Sequence, residues 1–204
     1  MKKTTYLALS GIVATAGLLV PSCSKPEATA TSTPGGFSPE QVADTVYTVL
    51  AADRKVYAKQ IVNRLVNEEK VIKAHENYMD EKTLPLPAQV FRMGAEEVDT
   101  VDNKTVDFSY SLQSLWPLNK ENAKKQTDKV KEGLKFLVDN PTEKKWTGEE
   151  EIAGQKYFIG VYPDKAVAPA CFLCHNNHPD KEDSFPEFKL EDVMGGVVIR
   201  IPVQ

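Results

Sequence analysis

The chain predicts an α+β domain, on three observations. Apolar residues recur at helical spacing through the N-terminal third, apolar and polar residues alternate in later stretches, and Pro- or Gly-containing breaks separate the two patterns. A length of 204 residues, 41% of them hydrophobic, is enough to bury one substantial core. The formal net charge is −4, and no stretch concentrates Lys and Arg into a basic face. A nucleic-acid partner is therefore not expected.

The first 22 residues read as a signal peptide. Lys2 and Lys3 precede an apolar run from Tyr6 to Val20, and the small residues Ser22 and Cys23 follow. The run falls short of the roughly 18 or more apolar residues of a spanning helix. Leu19-Val20-Pro21-Ser22-Cys23 resembles a bacterial lipoprotein signal, which implies lipidation of Cys23 and a location in the periplasm or cell envelope, held to a membrane by a lipid anchor. Residues 23–37, rich in Pro, Ser, Thr and Ala, hold too little apolar content to fold and read as a flexible linker. The domain proper spans 38–204.

Its first helix starts at Ser38-Pro39-Glu40-Gln41. Ser is a good N-cap, Pro suits the first turn, and Gln41 can complete a capping box. Val42, Val46, Val49, Leu50, Tyr57, Ile61, Leu65 and Ile72 carry the helical period onward, which predicts a long helix to about Tyr78, with a possible break near Asn67. His75 and Met79 then fall one turn apart on its apolar side. Leu84-Pro85-Leu86-Pro87 interrupts the pattern, and Ala88 to Val98 reads as a shorter helix holding Phe91 and Met93.

Alternation from Val106 to Leu112 predicts a half-buried strand, ended by Trp116-Pro117. Glu121 to Val138 reads as one helix with a solvated lysine face. Trp146 to Tyr162 reads as a hairpin turning at Ala153-Gly154-Gln155, and the chain closes with a strand from Val197 to Pro202. Between the last two strands, residues 163–183 read as a loop.

That loop contains Pro169-Ala170-Cys171-Phe172-Leu173-Cys174-His175. Cys-x-x-Cys-His is the attachment pattern of c-type haem: two thiols add to the two vinyl groups of the porphyrin, and the next imidazole reaches the iron. This reading makes Cys171 and Cys174 the thioether residues and His175 the proximal iron ligand. Zinc is a second reading, since Cys171, Cys174, His175 and His178 lie within eight residues. Structural zinc sites, however, draw ligand pairs from separated segments so that four side chains converge. A dithiol or disulfide is the third, but it needs an activated first thiol and no adjacent His. The His directly after the second Cys is what haem attachment requires. His178 reads as a surface residue or a partner of the proximal imidazole.

From Val42 to Val203 the chain resembles the exported, single-haem c-type proteins with a PAS-like domain, of the DUF3365 type. The residues that carry the likeness are Ser109-Tyr110-Ser111-Leu112, Trp116-Pro117-Leu118-Asn119-Lys120-Glu121-Asn122-Ala123, Lys156-Tyr157-Phe158, Ala168 to His175, and Gly195-Gly196-Val197-Val198-Ile199. The resemblance implies a PAS-like antiparallel sheet with a long N-terminal helix and flanking helices, the haem segment inserted before the last strand, and one covalent haem c. It also implies a part in redox or small-ligand sensing. Some members are understood to use a cysteine of the N-terminal helical region as second axial ligand. This chain has only Cys23 outside the motif, so Met93 becomes the candidate, with His75, Met79 and Met194 behind it.

The function expected is thus one-electron transfer or sensing by an exported haem protein, exchanging electrons or signals with a separate redox or signalling protein. A peroxidase-like enzyme and a haem-free dithiol protein are the alternatives.

Overall fold

In the computed structural model, residues 36–204 are described, apart from Lys125. The leader, Cys23 and nearly all of the linker lie outside them. The sheet has four antiparallel strands, β1 (Ser109–Gln113), β2 (Trp146–Ile152), β3 (Gln155–Lys165) and β4 (Val193–Val203), in the order β1-β4-β3-β2. Helices α1 (Pro39–Val56) and α3 (Pro87–Thr100) cover one face, and α5 (Asp128–Asp139) covers the other. Short helices α2 (Tyr78–Glu81) and α4 (Lys120–Lys124) lie in the connections, and α6 (Pro169–Asn176) carries the cysteine motif. The α+β class and the insertion of the motif segment before the last strand are both as expected.

The last strand in sequence is central in space, so both its faces are buried. Val197, Ile199 and Ile201 point to α1 and α3, where they meet Ala43, Phe91 and Tyr162. Val198 points the other way, joining Ile159, Val161 and Val193 against Val130, Leu134 and Leu137 of α5. This is the two-residue period of a strand written into two cores. Helix α5 comes close to the sheet because residue 133 has no side chain: a Cβ on Gly133 would stand 2.7 Å from both Trp146 Cε3 and Val161 Cγ2.

Local signals set the boundaries that the sequence made visible. Ser38 Oγ accepts the Gln41 N–H at 3.2 Å while Gln41 Oε1 accepts the Ser38 N–H at 2.9 Å, the reciprocal capping box at the start of α1. The β2–β3 hairpin turns at Ala153-Gly154, with φ of 52° and 83°, the two left-handed residues of the turn that suits strand twist.

Several boundaries differ from expectation, among them the start of the last strand, at Val193 where Val197 was expected. The first helix does not reach Tyr78: it continues from α1 as a π-helical segment, Tyr57–Glu68, and ends where Lys70 turns left-handed at φ 57°. The wider turn brings i and i+5 together, so Asn63 Nδ2 donates to Glu68 Oε1 at 2.7 Å and Arg64 pairs with Glu69. Beyond it, Ala74 bridges Leu84, with His75 N–H donating to Leu84 O at 3.0 Å. His75 and Met79 therefore do not share a helical face.

The predicted helix Glu121–Val138 is two helices. The first ends at Lys124 and Thr127 caps the second, its Oγ1 accepting the Val130 N–H at 3.3 Å. Finally, β3 runs on to Lys165 and the motif is helical, so the segment expected as loop is a strand end, a helix and a return arm. Beta strand β1 also starts later than its alternation suggests, at Ser109, with Val106 and Phe108 packing into the core ahead of it.

Candidate functional site

The motif arm leaves the sheet where β3 and β4 lose register, between Asp164 and Lys165. Two backbone bonds clip its base: Ala166 N–H donates to Asp192 O, and Glu191 N–H to Ala166 O, each at 2.9 Å. Within the arm, Pro169 opens α6 with the fixed φ that a first helical turn needs. Cys171, Cys174 and His175 stand at i, i+3 and i+4, a spacing that puts all three on one side of a helix. Both thiols are free and half-buried.

Helix α6 has no side-chain cap of its own, since residue 168 is Ala. The cap comes from the π-helical segment: Asn63 Oδ1 accepts the Ala170 N–H at 3.3 Å. At the other end Asn176 grips the return arm, accepting the Phe188 N–H at 2.9 Å and donating to Phe188 O at 2.8 Å. The Phe188 ring meets His175 edge-on at 6.0 Å and Trp116 edge-on at 5.4 Å. Beneath them Ala166, Phe188 and Met194 form a small buried cluster on which Cys171 and Phe172 pack.

Charge enters through Arg54, in the last turn of α1. Its Nε and Nη2 donate to the two carboxylate oxygens of Asp164 at 2.6 and 2.8 Å, and both side chains are largely buried. Burial opposes the Arg54 charge, but Asp164 outweighs it and holds the guanidinium protonated. Burial also pushes His175 down to about 4, with Arg54 and His178 adding to the effect and Asp164 opposing it. The imidazole is thus neutral and keeps a lone pair for a metal. Burial raises Cys174, helped by Glu76 and Cys171, so that sulfur stays a thiol.

The other expected residues are scattered. Met93, on α3, has its Sδ 3.4 Å from the Tyr78 hydroxyl, which donates to it. Met79 is exposed, and the His75 ring accepts the Asn77 N–H at 3.1 Å. Met194 lies in the cluster beneath Cys171. His178 lies beyond the end of α6, its Nδ1 accepting the Asp180 N–H at 3.1 Å. Among the described residues no three His, Cys, Asp or Glu side chains converge as a metal cage.

A family model matches residues 38–202, nearly the whole of the described domain, and its description is Tll0287-like. The chain belongs to the Tll0287-like family. No curated protein and no solved structure matches it. Membership in the Tll0287-like family is consistent with a cytochrome-like protein.

Two observations on this Tll0287-like chain test whether haem c fits. The donor set is right in kind: two free thiols and a neutral imidazole on one helical face. A cation at the root of the arm also has unused capacity, since Arg54, paired with Asp164, has its Nη1 buried with no hydrogen-bond partner among the described residues. Asn63, Arg54, Asp164 and Phe188 drew no attention as site residues in the sequence. Nothing local marks them, because each meets the motif arm only through the fold.

Proposed function

We propose that this Tll0287-like protein carries one covalent haem c and works in one-electron transfer or small-ligand sensing. The observation that carries the reading is the side-by-side placement of Cys171, Cys174 and His175 on α6. When bound, haem c supplies an iron that changes oxidation state or takes a small ligand. Cys171 and Cys174 would hold the group through thioether bonds, and the neutral imidazole of His175 would ligate its iron. Asn63 and Asn176 fix the helix from which all three project, and Phe188, itself backed by Trp116, flanks the imidazole. Met93 is the proposed second axial ligand, a role in which its sulfur gives up the Tyr78 hydroxyl.

Cys23 is the proposed lipid-attachment residue after export, which sets the domain in the cell envelope at the end of a linker. Its partner there is a redox or signalling protein. A haem-free dithiol is the alternative, and it has no use for the imidazole that directly follows the second cysteine.

The test is the visible spectrum of protein exported from cells with c-type maturation machinery, oxidised and reduced, before and after denaturation and acid-acetone extraction. Haem that stays with the polypeptide is the expected result. Haem that is extracted, or never acquired, overturns the reading.

A further inference from the structure

We propose that Arg54 binds a carboxylate of the cofactor, the free N–H edge of its guanidinium closing on that anionic oxygen. The inference rests on the haem c reading, because the porphyrin of that group bears two carboxylate side chains. A guanidinium offers five N–H donors in a rigid plane. In Arg54 the Nε and Nη2 edge is taken by Asp164 in a two-point pair. Nη1 is buried and meets no acceptor among the described residues. A buried donor left unpaired is destabilising, so a molecule that leaves it unpaired when empty holds a ready place for an acceptor.

The location agrees with that role. Asp164 sits at the register shift where the motif arm leaves the sheet, so the pair is fixed to the root of the arm that carries Cys171 and His175. The Phe91 ring lies 5.9 Å from Arg54 Cζ and flanks the guanidinium. Asp164 thereby holds the guanidinium plane still and leaves one edge for the ligand, the arrangement in which Arg recognises a carboxylate with least loss of side-chain freedom. The mutual influence of Arg54 with both Cys171 and His175 is consistent with a guanidinium close to the motif. An anion held there adds a charge at the root of the motif arm, so it bears on the reduction potential as well as on binding.

The experiment uses the covalently loaded holoprotein and its metal-free counterpart. Midpoint potentials are measured from about pH 5 to about pH 8 for the wild type, Arg54→Lys, Arg54→Gln and the charge-neutral pair Arg54→Met with Asp164→Asn. A carboxylate paired with Arg54 stays ionised through this window, so the wild-type profile carries no more than the titration of the second carboxylate, and Arg54→Lys keeps that profile. Without the cation the first carboxylate titrates inside the window as well, so the Gln variant and the double variant lose more potential as pH rises, the double variant with no Asp164 charge to contribute. The double variant also melts like the wild type without haem and below it with haem.

Holoprotein variants whose pH profiles match the wild type overturn the Arg54 assignment and leave the haem reading standing. A wild-type chain without covalent haem overturns both. Should the double variant not fold, Arg54→Gln with Asp164→Asn carries the same charge-neutral comparison, and a profile in it equal to that of the wild type sinks the proposal.

Discussion

The Asn63 side-chain carbonyl accepts the Ala170 N–H at 3.3 Å, joining the π-helical segment to the first turn of the motif helix across 107 residues of sequence. Asn63 is itself held by Glu68 and Asn67, at 2.7 and 3.0 Å. Replacing it with Ala leaves a helix N-terminus without its cap. The expected cost is about 1–2 kcal/mol in thermal or denaturant unfolding. Proteolysis should locate the loosening in α6, and Asn63→Asp, which keeps the acceptor but sets a carboxylate against Glu68, should recover most of the loss only when paired with Glu68→Gln.

Gly133 is a packing requirement. Gly→Ala in a helix ordinarily gains up to about 1 kcal/mol from propensity. Here the added methyl meets Trp146 and Val161 at 2.7 Å, and overpacking costs about 1–3 kcal/mol. Gly133→Ala is therefore expected to lower the melting temperature, and a stabilised variant would show that α5 can lift from the sheet freely.

Tyr162 should make the domain sensitive to alkali. Its phenol is held well above the ordinary tyrosine range, first by burial, then by its hydrogen bond to Asp44 and the charges of Asp44 and Glu40. A group whose folded value is raised contributes stability in full below its unfolded value, about 10, and that contribution is lost as pH climbs past it. Melting temperatures at about pH 8 and about pH 11 should fall more steeply for the wild type than for Tyr162→Phe. Parallel curves would remove Tyr162 as the cause.

The assignment of Met93 as second axial ligand predicts that Met93→Ala turns a low-spin iron into a high-spin one. Tyr78→Phe, which frees the sulfur from its hydroxyl partner, should leave the spectrum low-spin. An unaltered spectrum in the Met93 variant removes it as a ligand.

What the sequence made legible is what local chemistry encodes. The Ser38 cap, the Ala153-Gly154 turn and the Cys171–His175 spacing each need only a few neighbouring residues. The π-helical segment escaped because apolar residues were read at a period of 3.6, and pairs such as Asn63 with Glu68 become neighbours only in the wider turn. Thr127 was passed over because the lysines around it continue a solvated face on either side. Arg54 and Asp164 lie 110 residues apart, so no spacing rule joins them. The motif named its own chemistry, while the residues that hold and tune it had to await the fold.

The two bonds that link Ala166 to Glu191 and Asp192 give the motif arm a fixed footprint on the sheet. The entropy of closing a flexible loop rises only with the logarithm of its length. Residues can therefore be added to or removed from the return limb between α6 and Phe188 with little effect on the pairing of β3 with β4. In engineering terms the arm is an exchangeable cassette: a different attachment sequence, or a reporter, inserted between these clips should leave the frame able to fold.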